Sequence, residues 1–264
     1  MMYRRVNIMS ESSTIQLKRK PPVHVNKVGL MAPFGWLSKG FSDLKKAKLP
    51  SLLYGLVFAV IGLFLVFMAS KNPLWSVAFA SAFLLMGPFL AIGLYELSSQ
   101  IENNKKPCLL DSIVKIKENA VGLGFFVVLL SVLLIIWLRI SAMVAGVFFD
   151  DLELITKGWS VLLKGDHSIE FLLFFTFFGF FIAQLVFSIS VVSIPMLLDR
   201  KVDVITAIMT SLRVVMTNPL PMLVWAIIIV ALINVGMLFA FVGLMITLPI
   251  IGHASWHAYR ELVG

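Results

Sequence analysis

The chain is 264 residues long, 59% hydrophobic and 14% charged, with a formal net charge of +8. A soluble domain of this size cannot bury so much apolar surface, so the composition excludes an ordinary soluble fold and points to an integral membrane protein. Nucleic acid is not an expected partner: ten basic residues against Glu11 and Asp43 fall in the first fifty positions and account for the whole net charge, while residues 51–264 carry twelve of each sign.

In chain order, residues 1–32 read as a disordered basic cytoplasmic tail and residues 33–264 as a membrane domain. The tail lacks the apolar core of about 7 to 15 residues that a secretory signal needs, so the first span is expected to act as the insertion signal. Trp36 to Lys48 is amphipathic, with Trp36, Gly40, Phe41 and Leu44 on one face and Lys39, Asp43, Lys45 and Lys46 on the other. Two apolar stretches follow, at 51–69 and 74–95. A helix rising about 1.5 Å per residue needs roughly 20 such residues to cross about 30 Å of hydrocarbon.

A second amphipathic segment, Leu109 to Glu118, leads into a third span at 120–138. Arg139 can then snorkel to the outer headgroups or pair with an acid of the outer loop, Ser141 to Ser168. Within that loop Leu152, Ile155, Trp159, Leu162 and Leu163 recur at helical spacing and predict a short interfacial helix. A fourth span covers 170–197. Asp203 is a good cap for a third amphipathic segment, Val204 to Thr217, striped by Ile205, Ile208, Met209 and Leu212. One helix over Pro219 to Tyr259 would run about 60 Å. The stretch therefore divides into spans at 219–234 and 236–259, with a turn near Asn234 and Gly236.

The fold class is thus all-α, a polytopic bundle of six transmembrane helices with three cytoplasmic amphipathic helices. With an inner amino terminus the flanking loops and tail place eighteen basic residues inside and four outside, so both termini are expected in the cytoplasm. Three times the chain runs through an amphipathic segment, a breaker, a span, and a second span carrying proline: Pro88, Pro195 and Pro249. This predicts a three-fold internal repeat, with kinks or broken helix ends on one side of the bilayer. Gly55 with Gly62, and Gly236 with Gly243, are each seven apart on one helix face and read as close helix packing. The eight phenylalanines from Phe171 to Phe187 read as lipid-facing and packing bulk.

Glu96, Asp199, Asp203, His253, His257 and Arg260 follow the three prolines at short intervals and form a candidate cytoplasmic polar cluster. His253 and His257 lie four apart on one helix face and could together ligate a metal ion, with Glu96 or Asp199 completing the set. The plainer reading seats both rings at the membrane interface beside Trp256 and Tyr259. Gln184, Ser188 and Asn234 are candidates for a polar lining of the membrane core, which otherwise holds almost nothing ionisable. Cys108 is the only cysteine, which excludes an internal disulfide and a multi-thiolate metal site. No phosphate loop, zinc-protease pair or nucleophile elbow is present, so no catalytic residue and no cofactor is assigned.

The runs Ser193 to Arg200, Thr210 to Arg213, Asn218 to Met222 and Gly252 to Arg260, with Ser51 to Gly55 and Gly87 to Glu96 earlier, carry a resemblance. Over roughly Trp36 to Arg260 the chain resembles the bacterial integral membrane family catalogued as domain of unknown function 2189. The resemblance implies a bacterial inner-membrane address and carries no established activity. Two function classes remain. One is a non-enzymatic component that scaffolds, assembles or regulates a membrane complex; the other is a small permease or channel. The expected partners are the lipid bilayer, anionic headgroups through the basic tail, and another membrane protein.

Overall fold

The computed structural model of the protein describes residues 23–71, 91–118, 120–149, 165–239 and 241–264. Among them the chain forms α1 (Ala32–Lys46), α2 (Lys48–Lys71), α3 (described over 91–102), α4 (Leu109–Glu118), α5 (Ala120–Phe148), α6 (Ser168–Ser190), α7 (Ser193–Asp199), α8 (Val204–Thr217), α9 (Pro219–Leu238) and α10 (Leu244–Leu262). Among the described residues four stretches are long and apolar enough to cross a membrane: Lys48–Phe67, Ala120–Phe148, Ser168–Asp199 and Pro219–Leu238. Most of the expected second span, with Pro88, lies outside the described residues, as does the interfacial helix expected over 152–163.

α5 runs on to Phe148 instead of ending at Leu138, which keeps Arg139 on its exposed side as part of the helix. At about 1.5 Å per residue this helix is roughly 43 Å long. It pairs with α6 through aromatic contacts, Trp137 to Phe175 at 4.9 Å and Phe149 to Phe171 at 5.4 Å between ring centroids. Phe174, which also meets Phe148 of α5, is half exposed, and Phe177, Phe180 and Phe181 stay exposed on α6. Only 6% of the α6–α7 apolar window is buried inside the molecule, so its apolar surface faces lipid or a partner.

Proline acts as expected at one position and differently at another. α6 ends at Ser190, and α7 begins after a turn at Val191 and Val192, because Pro195 has no N–H to give the Val191 carbonyl. Pro249 instead lies inside a continuous α10. The carbonyl it leaves without a helical donor belongs to Met245, and that group lies against Gly55 of α2.

The last helical pair differs from the sequence reading. The helix ends at Leu238 and the next begins at Leu244, so the break does not fall at Asn234 and Gly236, and Phe241 takes φ 62° within it. Gly236 and Gly243 therefore face each other across a hairpin: a Cβ on Gly243 would lie 2.8 Å from the Gly236 Cα. The second half of α10 is enclosed, with Ile251 to Trp256, Ala258 and Tyr259 all buried, while Ile246 in its first turn is exposed. Its run of small residues lets neighbours approach closely. A Cβ on Gly40 of α1 would sit 2.7 Å from Ala254 N and Ile250 O, and one on Gly252 would sit 2.6 Å from Leu94 Cδ1 of α3.

The three amphipathic segments each form a helix. In α8 the buried side is Ala207, Thr210, Ser211 and Val214, so the expected stripe turns outward at Ile205 and Met209. α4 likewise exposes Leu110 and Val114, and α1 exposes Phe34 and Phe41. The tail is ordered earlier than expected. From Val23 the chain lies along the molecule, bridging Val25 to Val263, and Asn26 N–H donates to Leu262 O at 2.9 Å. Val23, Val25 and Val28 pack on the main core, and it is this apolar alternation that holds a segment read as disordered.

Candidate functional site

The site is built where α1, α2 and α3 meet α10. On α1, Trp36, Gly40, Asp43 and Leu44 are buried together, at spacing i, i+4, i+7 and i+8. Asp43 is 3% exposed and does not share the outer face with Lys39, Lys45 and Lys46. Close approach at Gly40 carries the next turn, and Asp43 with it, onto α10. There His257 Nε2–H donates to Asp43 Oδ2 at 2.8 Å, and the Ser98 hydroxyl of α3 donates to the same oxygen at 2.9 Å. Burial pushes this carboxyl up, but the bond and charge of His257, the Ser98 bond and the charge of His253 together hold it below the usual value.

His253 is fully buried. Its Nδ1 is 2.7 Å from Ser98 Oγ and its Nε2 is 2.8 Å from Ser51 Oγ of α2. Because Ser98 gives its proton to Asp43, it accepts from His253, which fixes the Nδ1–H tautomer and leaves Nε2 to accept from Ser51. The donors thus run in one direction, Ser51 to His253 to Ser98 to Asp43, with His257 arriving from the other side. One chain of hydrogen bonds ties four helices.

A second polar group gathers around Trp256, Tyr259 and Arg260 of α10. Tyr259 donates to Asp199 Oδ2 at 2.7 Å, Arg200 Nε donates to Tyr259 Oη at 2.9 Å, and Arg260 reaches both Glu102 Oε1, at 3.1 Å, and Asp199, at 3.4 Å. Trp256 Nε1–H donates to Glu102 Oε2 at 3.0 Å. Glu96 and Asp199 line a polar cleft of ≈ 210 Å³ with Lys105, Lys115 and Asn103. Arg200 also holds the Val263 and Gly264 carbonyls.

The expected cytoplasmic cluster is therefore divided. Glu96 and Asp199 line the cleft, Arg260 pairs with Asp199 and Glu102, and His253 and His257 belong to the Asp43 chain. Asp203 belongs to neither: it caps α8, accepting from Thr206 N at 2.9 Å and from Thr206 Oγ1 at 2.7 Å, and these bonds hold its carboxyl low. The expected metal pairing of His253 and His257 with Glu96 or Asp199 is corrected by the same geometry. Both nitrogens of His253 are engaged by serine hydroxyls, and among the described residues no group of three His, Cys, Asp or Glu side chains is placed to hold a metal ion.

Gln184 and Ser188 pair within α6, where the Ser188 hydroxyl also donates to Gln184 O at 2.7 Å. Asn234 is exposed and donates to Val230 O of its own helix at 2.8 Å. Each of these bonds stays within its own helix. Sequence reasoning missed Ser51, Ser98 and Asn218. Asn218 accepts from Val28 N–H and donates to Asn26 O, each at 2.9 Å, and so straps the amino-terminal segment down. Asn218→Ala is expected to cost about 1 to 2 kcal/mol of local stability, read as faster limited proteolysis within residues 23–31.

No curated protein and no solved structure matches the chain. The family match is narrower than the resemblance and does not extend to the Gly252 to Arg260 run. Residues 76–199 match the family model DUF2189, predicted integral membrane protein, and with its apolar helices the chain is an integral membrane protein carrying that match.

Proposed function

We propose that the protein is a non-enzymatic component of the bacterial inner membrane that scaffolds, assembles or regulates a membrane complex. In this reading it has six spans, α10 being the sixth, arranged as three repeats, and both termini are cytoplasmic. The observation that carries it is the contrast between the helix ends and the spans. Polar side chains at the ends satisfy one another, as in the Asp43 chain, while the apolar windows of the spans are only 6% to 28% buried and leave broad outward faces. Such a molecule is closed inside and available outside.

Lys45 and Lys46 on α1 and Lys117 on α4 are exposed beside Phe41, Leu110 and Val114, which suits these helices to anionic headgroups at the interface. The permease reading draws no support from Gln184 and Ser188, which pair with each other within α6, or from Asn234, which bonds its own helix.

Photo-crosslinking in cells from Phe177 or Phe181, on the exposed side of α6, tests the proposal. A defined protein adduct is expected at these positions and not at the buried Phe126. Lipid adducts alone, together with solute flux in proteoliposomes, would replace it with the permease.

A further inference from the structure

The joint at Asp43 and His253 is buried, whereas the polar cleft of ≈ 210 Å³ opens to solvent and carries charge of both signs. Glu96 and Ser99 enter it from α3, Asp199 from the end of α7, Lys115 from α4, and Lys105 from the connection between α3 and α4. Leu198 and Trp256, both buried, give it a firm apolar wall. Local bonds set the connection in place. The Gln100 carboxamide donates to Glu96 Oε1 at 3.2 Å and accepts from Cys108 N–H at 2.7 Å, while Lys105 N–H donates to Gln100 O at 2.8 Å. Among the described residues Lys105 pairs with no carboxylate.

A simple anion in this cleft would be drawn by Lys105 and Lys115 and repelled by Glu96, and a simple cation would meet the reverse. A zwitterion with separated charges suits both ends. Asp199 Oδ2 already serves Tyr259 and Arg260, so the acid assigned to a ligand is Glu96. A carboxylate offers about four acceptor sites, and the Gln100 bond does not spend them. The volume lies below the roughly 300–1,000 Å³ of drug-sized sites, so it takes a fragment of headgroup size. A primary ammonium brings three N–H donors. They match Glu96, the Ser99 hydroxyl, and the Oδ1 of Asn103, whose Nδ2 is committed to Ser99 O at 2.8 Å. A trimethylammonium has no N–H and leaves these acceptors unanswered. Leu110, Ile113 and Val114 of α4 are exposed beside Lys115, which brings the edge of the hydrocarbon to the cleft and favours a lipid over a soluble ligand.

We propose that the cleft binds the aminophosphate headgroup of an ethanolamine phospholipid, with the phosphate on Lys105 and Lys115 and the ammonium on Glu96, Ser99 and Asn103. This binding does not depend on what the bundle assembles with.

The test is native mass spectrometry of the full chain in detergent, titrated with phosphatidylethanolamine, phosphatidylcholine and phosphatidylglycerol of the same acyl chains. The wild type should hold the ethanolamine lipid about five-fold or more tighter than either of the others. Glu96→Gln should reduce the preference over phosphatidylglycerol to about two-fold or less, weakening the first lipid and strengthening the second. Lys105→Gln should weaken both by about two- to five-fold, and Lys45→Gln, on the exposed side of α1, should change neither. Lys105 is exposed, so its variant reads the site should Glu96→Gln not fold. Free glycerophosphoethanolamine should displace the lipid only at about ten-fold excess or more, because it lacks the acyl chains. Equal retention of the three lipids, an unchanged preference in Glu96→Gln, or unchanged binding in Lys105→Gln would overturn the proposal. Displacement by glycerophosphoethanolamine at the lipid's own concentration would overturn its lipid source.

Discussion

Gly55→Val is expected to separate α2 from α10 and to destabilise the protein by about 3 kcal/mol or more, the range of a severe core overpacking. A Cβ at position 55 would overlap the Met245 carbonyl, which is backbone and cannot step aside. The position is doubly constrained, because Pro249 four residues on removes the donor that would have tied this carbonyl into its own helix. Gly124→Ala and Gly146→Ala, where a Cβ meets nothing within 4 Å, should be neutral or slightly stabilising. Thermal unfolding in one detergent, with size-exclusion profiles, compares the three. Equal melting temperatures for Gly55→Val and Gly124→Ala would show that the α2–α10 crossing is looser than its backbone contact requires.

Asp43→Ala should have the second large effect, about 3 kcal/mol, because it leaves the donors of His257 and Ser98 unpaired in a buried site. Asp43→Asn keeps an acceptor at the same place and should cost less. The pH dependence has a definite sign. The carboxyl lies below its ordinary value of 3.8 in the folded protein, so its contribution is complete above that value and is lost as the pH falls through the lower, folded one. The wild type should therefore lose more stability than Asp43→Asn on going from pH 5 to pH 3. Parallel stability curves for the two proteins would remove the carboxylate from the joint's energetics.

Much of the fold was legible because its signals are local. The bounds of α8 follow from an amphipathic run closed by Asn218, and the cap at Asp203 is read from a residue type at a helix start. The long apolar helices announce themselves by composition. Composition did not show the packing role of α10, whose glycine, alanine and serine positions make it the helix around which others close. Asp43 was visible in part, since it continues the Trp36, Gly40 and Leu44 stripe, but its charge suggested the outer face. Its partners were not visible at all. Ser98 lies 55 residues from Asp43 and 155 from His253, and Ser51 lies 202 from His253. A lone serine has no periodic signature, and only the packing of three helices on α10 brings these hydroxyls to one imidazole.

The central claim is that Asp43 and His253, which do not touch, act as one unit through Ser98. A double-mutant cycle of Asp43→Ala and His253→Asn, followed by unfolding in nanodiscs, measures this directly. A coupling of about 1 to 2 kcal/mol is predicted, since either substitution breaks the chain and the second then removes little more. Losses that add to within about 0.5 kcal/mol would contradict it, because the two residues would then be independent buried groups on neighbouring helices.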